Sequence, residues 1–551
     1  MSERVLSESA ATGGIRRFVG RIPLWVWVLA VGMALLHMTP YWRAAVETPE
    51  TWRFTGNLSI SPDYMQYRVW SRQTAEEGPI VSNRFTAEPN RAHLPVMPYW
   101  IVGQTARILG ITPEWAYAYI GAVLVAGFLV LLYALTRWFL KRPRATAWVF
   151  AVQLLGGGLG GYMMWLRDWS FVRSNYALNA LFVAPFQGEG RSALFESYRG
   201  NYILQSIFDT HFMLFWLVTT VAVIALWAAL RRFSIPRLVL TCLLFAFGTF
   251  LHVYEGLTLL VIATGVCMAV WRKGVPGRTA LAVLSACIMS VAVVLLPLTL
   301  IYKSSGLPAP EWRGLVVEFP ILVLAYPVAW LLLVPGILRY WRDAGVDGAF
   351  LVGWGLALLL LTLSGPFFPY PDRGTMTLQI PLMLAAGGIW FARHDRLGWK
   401  AILLLLILAG STTLFTFESW FSRTAFTEDQ PHKYVSPAHD AVIEALRDNA
   451  IRRDILVANQ LPLRWIAPEY PGVHYAGHFF LTPGFRAKQD TLAAFWAAQP
   501  DAQHRFLESR GVRWLFVEPD QDPARFERIP GLVPAVREPV GTLFEFRAAS
   551  G

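Results

Sequence analysis

A carboxylate flanked by hydroxyl-bearing rings stands early in the chain, in Ser61-Pro62-Asp63-Tyr64-Met65-Gln66-Tyr67. Such a carboxylate can take a proton from an acceptor hydroxyl. It can equally accept backbone N–H bonds at the start of a helix over Tyr64 to Glu76. Further along, the run from Ser82 to His93 carries Arg84, Glu88 and His93 around a proline turn. Two more pairs combine an acid with an imidazole. Asp209 and His211 lie two residues apart, and His252 and Glu255 three apart, in Leu251-His252-Val253-Tyr254-Glu255-Gly256. The first pair suits mutual orientation, phosphate or metal binding, or a satisfied helix cap; the second, close to the hydrocarbon, suits facing a cavity or each other. Arg373 closes a proline-rich run from Pro366, and its planar fork of donors matches two phosphate oxygens or a lipid headgroup.

These residues are set in an apolar frame. Of 551 residues, 55% are apolar and only 15% charged, with 24 Trp. Soluble domains average about 25% charged residues, so the class is a polytopic membrane protein. A span needs about 20 mostly apolar residues. Eleven segments qualify: 22–39, 116–138, 145–165, 211–230, 238–254, 256–271, 279–301, 319–338, 349–365, 375–392 and 401–417. The fifth and sixth meet at the His252–Glu255 corner.

Basic clusters fall in alternate connections: Arg16, Arg17 and Arg21; Arg137 to Arg144; Arg231 to Arg237; Arg272 to Arg278; Arg339 and Arg342; Arg393 to Lys400. The positive-inside rule puts them, and the amino terminus, in the cytoplasm. The first span then reads as an uncleaved signal anchor. Loop 40–115 faces outward. It carries Arg53, Arg68, Arg72, Arg84 and Arg91, and its length exempts it from the rule. Residues 94–109 read as an interfacial helix.

The expected organisation is a cytoplasmic tail (1–21), a transmembrane module (22–418) and an extracytoplasmic α/β domain (419–551). In the last, 454–458 and 514–517 read as strands, and 440–448, 491–498 and 503–510 as helices. Cys242, Cys267 and Cys287 all fall in apolar stretches, which excludes a zinc site or disulfide framework. The net charge of +11 sits in topology clusters, so nucleic acid is excluded as a partner. The glycine run 156–161 lies in the third span and reads as helix packing, not as a phosphate loop.

Together, the Asp63 to Tyr67 stretch, the 83–98 segment, Asp209-Thr210-His211-Phe212, His252-Val253-Tyr254-Glu255, and 477–483 with Lys488 resemble bacterial GT-C superfamily integral-membrane glycosyltransferases, in the protein-mannosyltransferase-like group. The resemblance implies a GT-C-like helical membrane module with an outer α/β domain, in the inner (plasma) membrane. It implies transfer of a sugar from a polyprenyl-phosphate donor to a glycan, lipid or protein acceptor at the outer face, among membrane lipid. Asp63 matches the loop-one carboxylate that serves such enzymes as base or acceptor-positioning group. Tyr64, Tyr67, Arg84, Glu88, His93, Asp209, His211, His252, Glu255 and Arg373 are the expected substrate-binding set, with Arg373, and Arg84 or His211 as alternatives, on phosphate. Metal use varies across the superfamily, which leaves a divalent ion, Mg or Mn, open. Two other classes compete: a proton-coupled transporter or lipid flippase relaying through His252 and Glu255, and a non-catalytic envelope scaffold. His478 and Lys488 read as structural.

Overall fold

The computed structural model describes residues 22–58, 62–78, 80–90, 94–95, 97–156, 158–159, 162, 174, 202–304, 326–343, 345–364, 372–394, 398–422, 424–479 and 481–547. Helices along the chain are α1 (Leu24–Glu47), α2 (Pro62–Glu76), α3 (Met97–Leu109), α4 (Pro113–Leu140), α5 (Pro143–Leu155), α6 (Tyr202–Ile207), α7 (Thr210–Arg231), α8 (Ile235–Leu251) and α9 (Val253–Trp271). They continue with α10 (Gly277–Ser304), α11 (Pro327–Asp343), α12 (Gly345–Leu363), α13 (Asp372–Arg393), α14 (Trp399–Ser422), α15 (Pro437–Asn449), α16 (Gln460–Ile466), α17 (Phe485–Ala497), α18 (Pro500–Ser509) and α19 (Pro523–Phe526).

Each expected span overlaps one of these helices. Among the described residues, six are long and apolar enough to cross a bilayer: α1, α4, α7, α9, α12 and residues Gly277–Leu300 of α10. Ile235–Leu251 and Thr377–Phe391 are apolar but shorter. The chain is a multi-pass membrane protein. Two boundaries differ from expectation. Helix α5 stops at Leu155, so the glycine run does not continue it; Gly156 is extended, at φ −83° and ψ 101°. The interfacial helix begins at Met97, because Leu94 and Pro95 are drawn into a strand pair.

The chain divides into two compact units. One comprises 1–38, 120–295 and 312–422. Its helices pack around fully buried Trp227, Phe350 and Trp354. Lipid offers no hydrophobic drive between helices, so close contact depends on small residues. At the α9–α12 crossing, a Cβ on Gly265 would come within 2.7 Å of the Gly353 carbonyl oxygen, and one on Gly353 within 2.6 Å of the Gly265 oxygen.

The other unit comprises 39–119, 296–311 and 423–551. Its strands are β1 (Arg53–Phe54), β2 (Ile80–Val81), β3 (Leu94–Pro95), β4 (Tyr434–Val435), β5 (Ile455–Val457), β6 (Val473–His474), β7 (Val512–Val517), β8 (Leu532–Glu538) and β9 (Gly541–Phe546). Five form one sheet in the order β6-β5-β7-β9-β8. Strand β5 runs parallel to β6 and β7, while β9 is antiparallel to β7 and β8. Strand β1 pairs antiparallel with β4, with Arg53 opposite Val435. Met65, Val69 and Phe85 share a core with Val442, Ile443, Leu456, Trp465 and Trp514. The early loop and the C-terminal sheet therefore bury one another's apolar side chains.

Candidate functional site

Helix α2 opens at Pro62, whose missing N–H suits a first turn, and Asp63 lies in that turn. A carboxylate there is favoured by the helix dipole. Its side chain is 43% exposed, and Oδ1 lies 3.9 Å from Nε2 of His478, whose side chain is fully buried. The His478 ring is fixed between Phe85, at 5.5 Å, and Phe479, at 4.8 Å. Thr482 locks the turn, accepting from the His478 N–H at 3.1 Å and donating to the Phe85 carbonyl at 2.6 Å. His478, which reads as structural from the sequence, faces the carboxylate of Asp63 in the fold.

Tyr64 and Tyr67, one helical turn apart, lie 5.6 Å from each other, and Tyr67 stacks on Tyr99 at 4.7 Å. With Tyr41, Tyr117, Arg68 and Glu114 they line a cavity of about 20 Å³, the room of one water molecule. Arg84 is buried and ion-paired with Glu77, with Nη1 donating to the Tyr470 carbonyl at 3.4 Å. Burial lowers its pKa, against the pull of Glu77. Glu88 is held by Lys488, whose ammonium donates to it at 2.6 Å and to the Tyr475 carbonyl at 3.1 Å. His93 lies outside the described residues.

The same unit holds a charge network that the sequence did not reveal. Glu114 Oε1 accepts from Arg68 Nε at 3.0 Å and from Arg72 Nε at 3.3 Å. Glu469 pairs with Arg72 and Arg447, and lies 3.8 Å from Arg68 and 3.7 Å from Arg53. Arg53 also pairs with Asp440. Arg53, Arg68, Arg72 and Arg84 of the 40–115 segment are thus neutralised within their own unit, while Arg91 lies outside the described residues. The Arg72–Glu469 pair is separated by 397 residues, which no local pattern announces.

In the helical unit, Asp209 is the N-cap of α7, accepting from the N–H groups of His211 at 3.0 Å and Phe212 at 3.5 Å. The expected corner between spans five and six is a single residue: His252 ends α8 and starts α9 in an extended conformation. A Cβ on Gly256 would run into Thr249, so the hairpin closes this tightly only with glycine there. The rings of His211 and His252 are 6.0 Å apart, with Phe215 against both, 4.4 Å and 5.0 Å away. Glu255 is buried and accepts from Thr219 Oγ1 at 3.4 Å. The fold therefore brings Asp209, His211, His252 and Glu255 to the adjoining ends of α7, α8 and α9. Arg373 is in the first turn of α13, and its side chain lies outside the described residues. Among the described residues, no group of three His, Cys, Asp or Glu side chains is placed to hold a metal ion.

No protein-family model matches this sequence, and no curated protein sequence does either. Solved structures do resemble it. ArnT from Cupriavidus metallidurans, in the apo state, aligns over 98% of this chain and 99% of its own, with a TM-score of 0.50 at 14% identity. The same protein bound to undecaprenyl phosphate gives the same figures. The arabinofuranosyltransferase AftD from Mycobacteria aligns over 95% of this chain and 41% of its own, with a TM-score of 0.54 at 15% identity. All are GT-C-fold structures, and this chain has the GT-C fold.

Proposed function

From the GT-C fold, we propose that this chain is a glycosyltransferase that moves a sugar from a polyprenyl-phosphate donor to an acceptor hydroxyl at the outer face of the membrane. ArnT in complex with undecaprenyl phosphate supports a lipid phosphate as the carrier. The observation that carries the chemistry is the contrast between Asp63 and the two buried acids of its unit, Glu114 and Glu469. The Asp63 side chain is 43% exposed, whereas those of Glu114 and Glu469 are 3% and 2% exposed and clamped by arginine. A base has to reach its substrate; the clamped acids serve the fold.

In the proposed reaction Asp63 takes the acceptor hydroxyl proton as that oxygen bonds to the anomeric carbon. The carbon–oxygen bond to phosphate breaks, and polyprenyl phosphate leaves with the electron pair. A positioned base contributes roughly 10²–10⁴-fold. The leaving phosphate needs donors or cations. Arg84 is engaged by Glu77, which favours Arg373 and His211 for that task. The orientation follows the positive-inside reading: amino terminus cytoplasmic, Asp63 and the C-terminal domain outside.

The test is mass spectrometry of polyprenyl-linked lipids from native-host cells carrying wild type or Asp63→Asn at matched expression. Accumulation of one polyprenyl-phosphate sugar in the variant, with transfer reduced about 10²–10⁴-fold, is the expected result. An unchanged lipid profile with normal envelope glycans removes Asp63 from the mechanism.

A further inference from the structure

The sheet of the second unit has a topological switch point that the transferase reading does not use. From β5 the chain passes through α16 to β6 on one side, then returns through α17 and α18 to β7 on the other. Strands β5 and β7 are adjacent and parallel; the chain leaving β5 turns to β6 on one side and the chain leaving β7 passes through α19 to β8 on the other, so the connections from their carboxyl ends diverge. In open α/β sheets, ligands bind in the crevice at such a point, outside the carboxyl ends of the strands.

A cleft of about 510 Å³ lies there. That is within the size range of small-ligand sites. Arg464 and Trp465 reach it from α16, directly after β5, while Phe516 and Glu518 reach it from the end of β7. Asp429, Gln430 and His432 line it from the turn before β4, and His439 from α15.

The lining is chemically specific. Asp429 and Glu518 offer carboxylate acceptors, and Arg464 offers a fork of donors. Asn459 already donates to Glu518 at 2.6 Å, which fixes that carboxylate at the strand end. Burial pushes His432 and His439 down to about 4, so both imidazoles are neutral at pH 7, each with one donor and one acceptor nitrogen. His439 uses Nδ1 on the Ser436 hydroxyl, at 2.7 Å. His432 is only 8% exposed, and its Nε2 has no hydrogen-bond partner among the described residues; the same holds for the buried Gln430 Oε1. Leaving such atoms unpaired costs about 1–3 kcal/mol each.

Two carboxylates against one guanidinium disfavour a phosphate or polyanion. No glycine-rich turn follows β5, where the chain reads Ala458-Asn459-Gln460, and this disfavours a dinucleotide. Mixed donors and acceptors beside aromatic and proline surface match a sugar, with its hydroxyl rim and apolar ring face. We propose that this cleft binds a short glycan, as a recognition site in its own right. It concerns binding alone, so it stands or falls independently of the Asp63 chemistry.

The full-length protein in lipid nanodiscs, applied to an array of neutral, amino and acidic oligosaccharides without any polyprenyl donor, tests it. One glycan class should be retained by the wild type. Arg464→Ala should weaken retention about tenfold, as expected for loss of a charged hydrogen bond, and Asp429→Asn should weaken it by a smaller factor. Arg464 is half-buried and Asp429 exposed, so both variants should melt with the wild type. No retention by the wild type, or retention unchanged in both variants, overturns the proposal.

Discussion

Glu114 and Glu255 are both 5% exposed acids in an apolar chain, and the two units handle them differently. Glu114 is gripped by Arg68 and Arg72, beside Glu469 with its own arginines. Glu255 takes a threonine hydroxyl, and its helix begins at an imidazole that packs against a second one. An acid clamped by guanidinium is committed to holding its own fold, since removing either partner strands a buried charge. The first arrangement joins distant segments of chain, and the second gathers a hydroxyl and two imidazoles at adjoining helix ends.

The sharpest way to break this distinction is Glu469→Ala. It should destabilise the second unit by about 3–5 kcal/mol, because the buried guanidinium groups of Arg68 and Arg72 are left to share the single carboxylate of Glu114. Thermal melting of purified protein measures it, and a loss below about 1 kcal/mol would reduce the network to decoration. Next in size is Glu255→Gln. It should leave melting within about 1–2 kcal/mol of wild type, the range of one hydrogen bond, while lowering sugar transfer; an unfolded variant would place Glu255 with Glu114 as a structural acid.

Acid should weaken the second unit in a defined window. Burial, assisted by Arg84, pushes His474 down to about 3, and burial with Lys433 and Arg464 pushes His432 to about 4. The unfolded chain titrates near 6.5. Below that value the unfolded state binds more protons, so this stability is complete above about pH 6.5 and falls as pH drops toward 3–4. The slope approaches 1.4 kcal/mol per pH unit for each group. Denaturant unfolding at pH 7.5 and pH 5 reads it, and His474→Phe should flatten the dependence; equal stability at both values refutes it. The smallest effect is expected for Glu88→Ala. Its carboxylate is 46% exposed, so losing the Lys488 pair should cost only about 0–1 kcal/mol by the same melting assay.

What the sequence disclosed follows from the range of the forces involved. Spans were legible because about 20 apolar residues in a row have few alternatives, and the His252–Glu255 corner because polar residues interrupted that run. Strands β5 and β7 were legible as short apolar runs. Strand β6, at two residues, has no period to read, and β8 carries Pro534 at an irregular register. The arginine network was invisible because Arg68 meets acids 46 residues away in Glu114 and far downstream in Glu469. His478 faces Asp63 across a similar gulf of chain, so its partnership belongs to the fold alone.

The pairing of β1 with β4 sets a timetable for biogenesis. Residues 39–119 leave the ribosome long before 423–551, and the Arg72–Glu469 separation of 397 residues amounts to roughly 20–80 s of synthesis at about 5–20 residues per second. Through that interval Met65, Val69 and Phe85 lack their core partners, and the arginines lack Glu469. The nascent loop is therefore a natural client for a holding chaperone, and a ribosome stalled before residue 423 would leave it exposed to proteases.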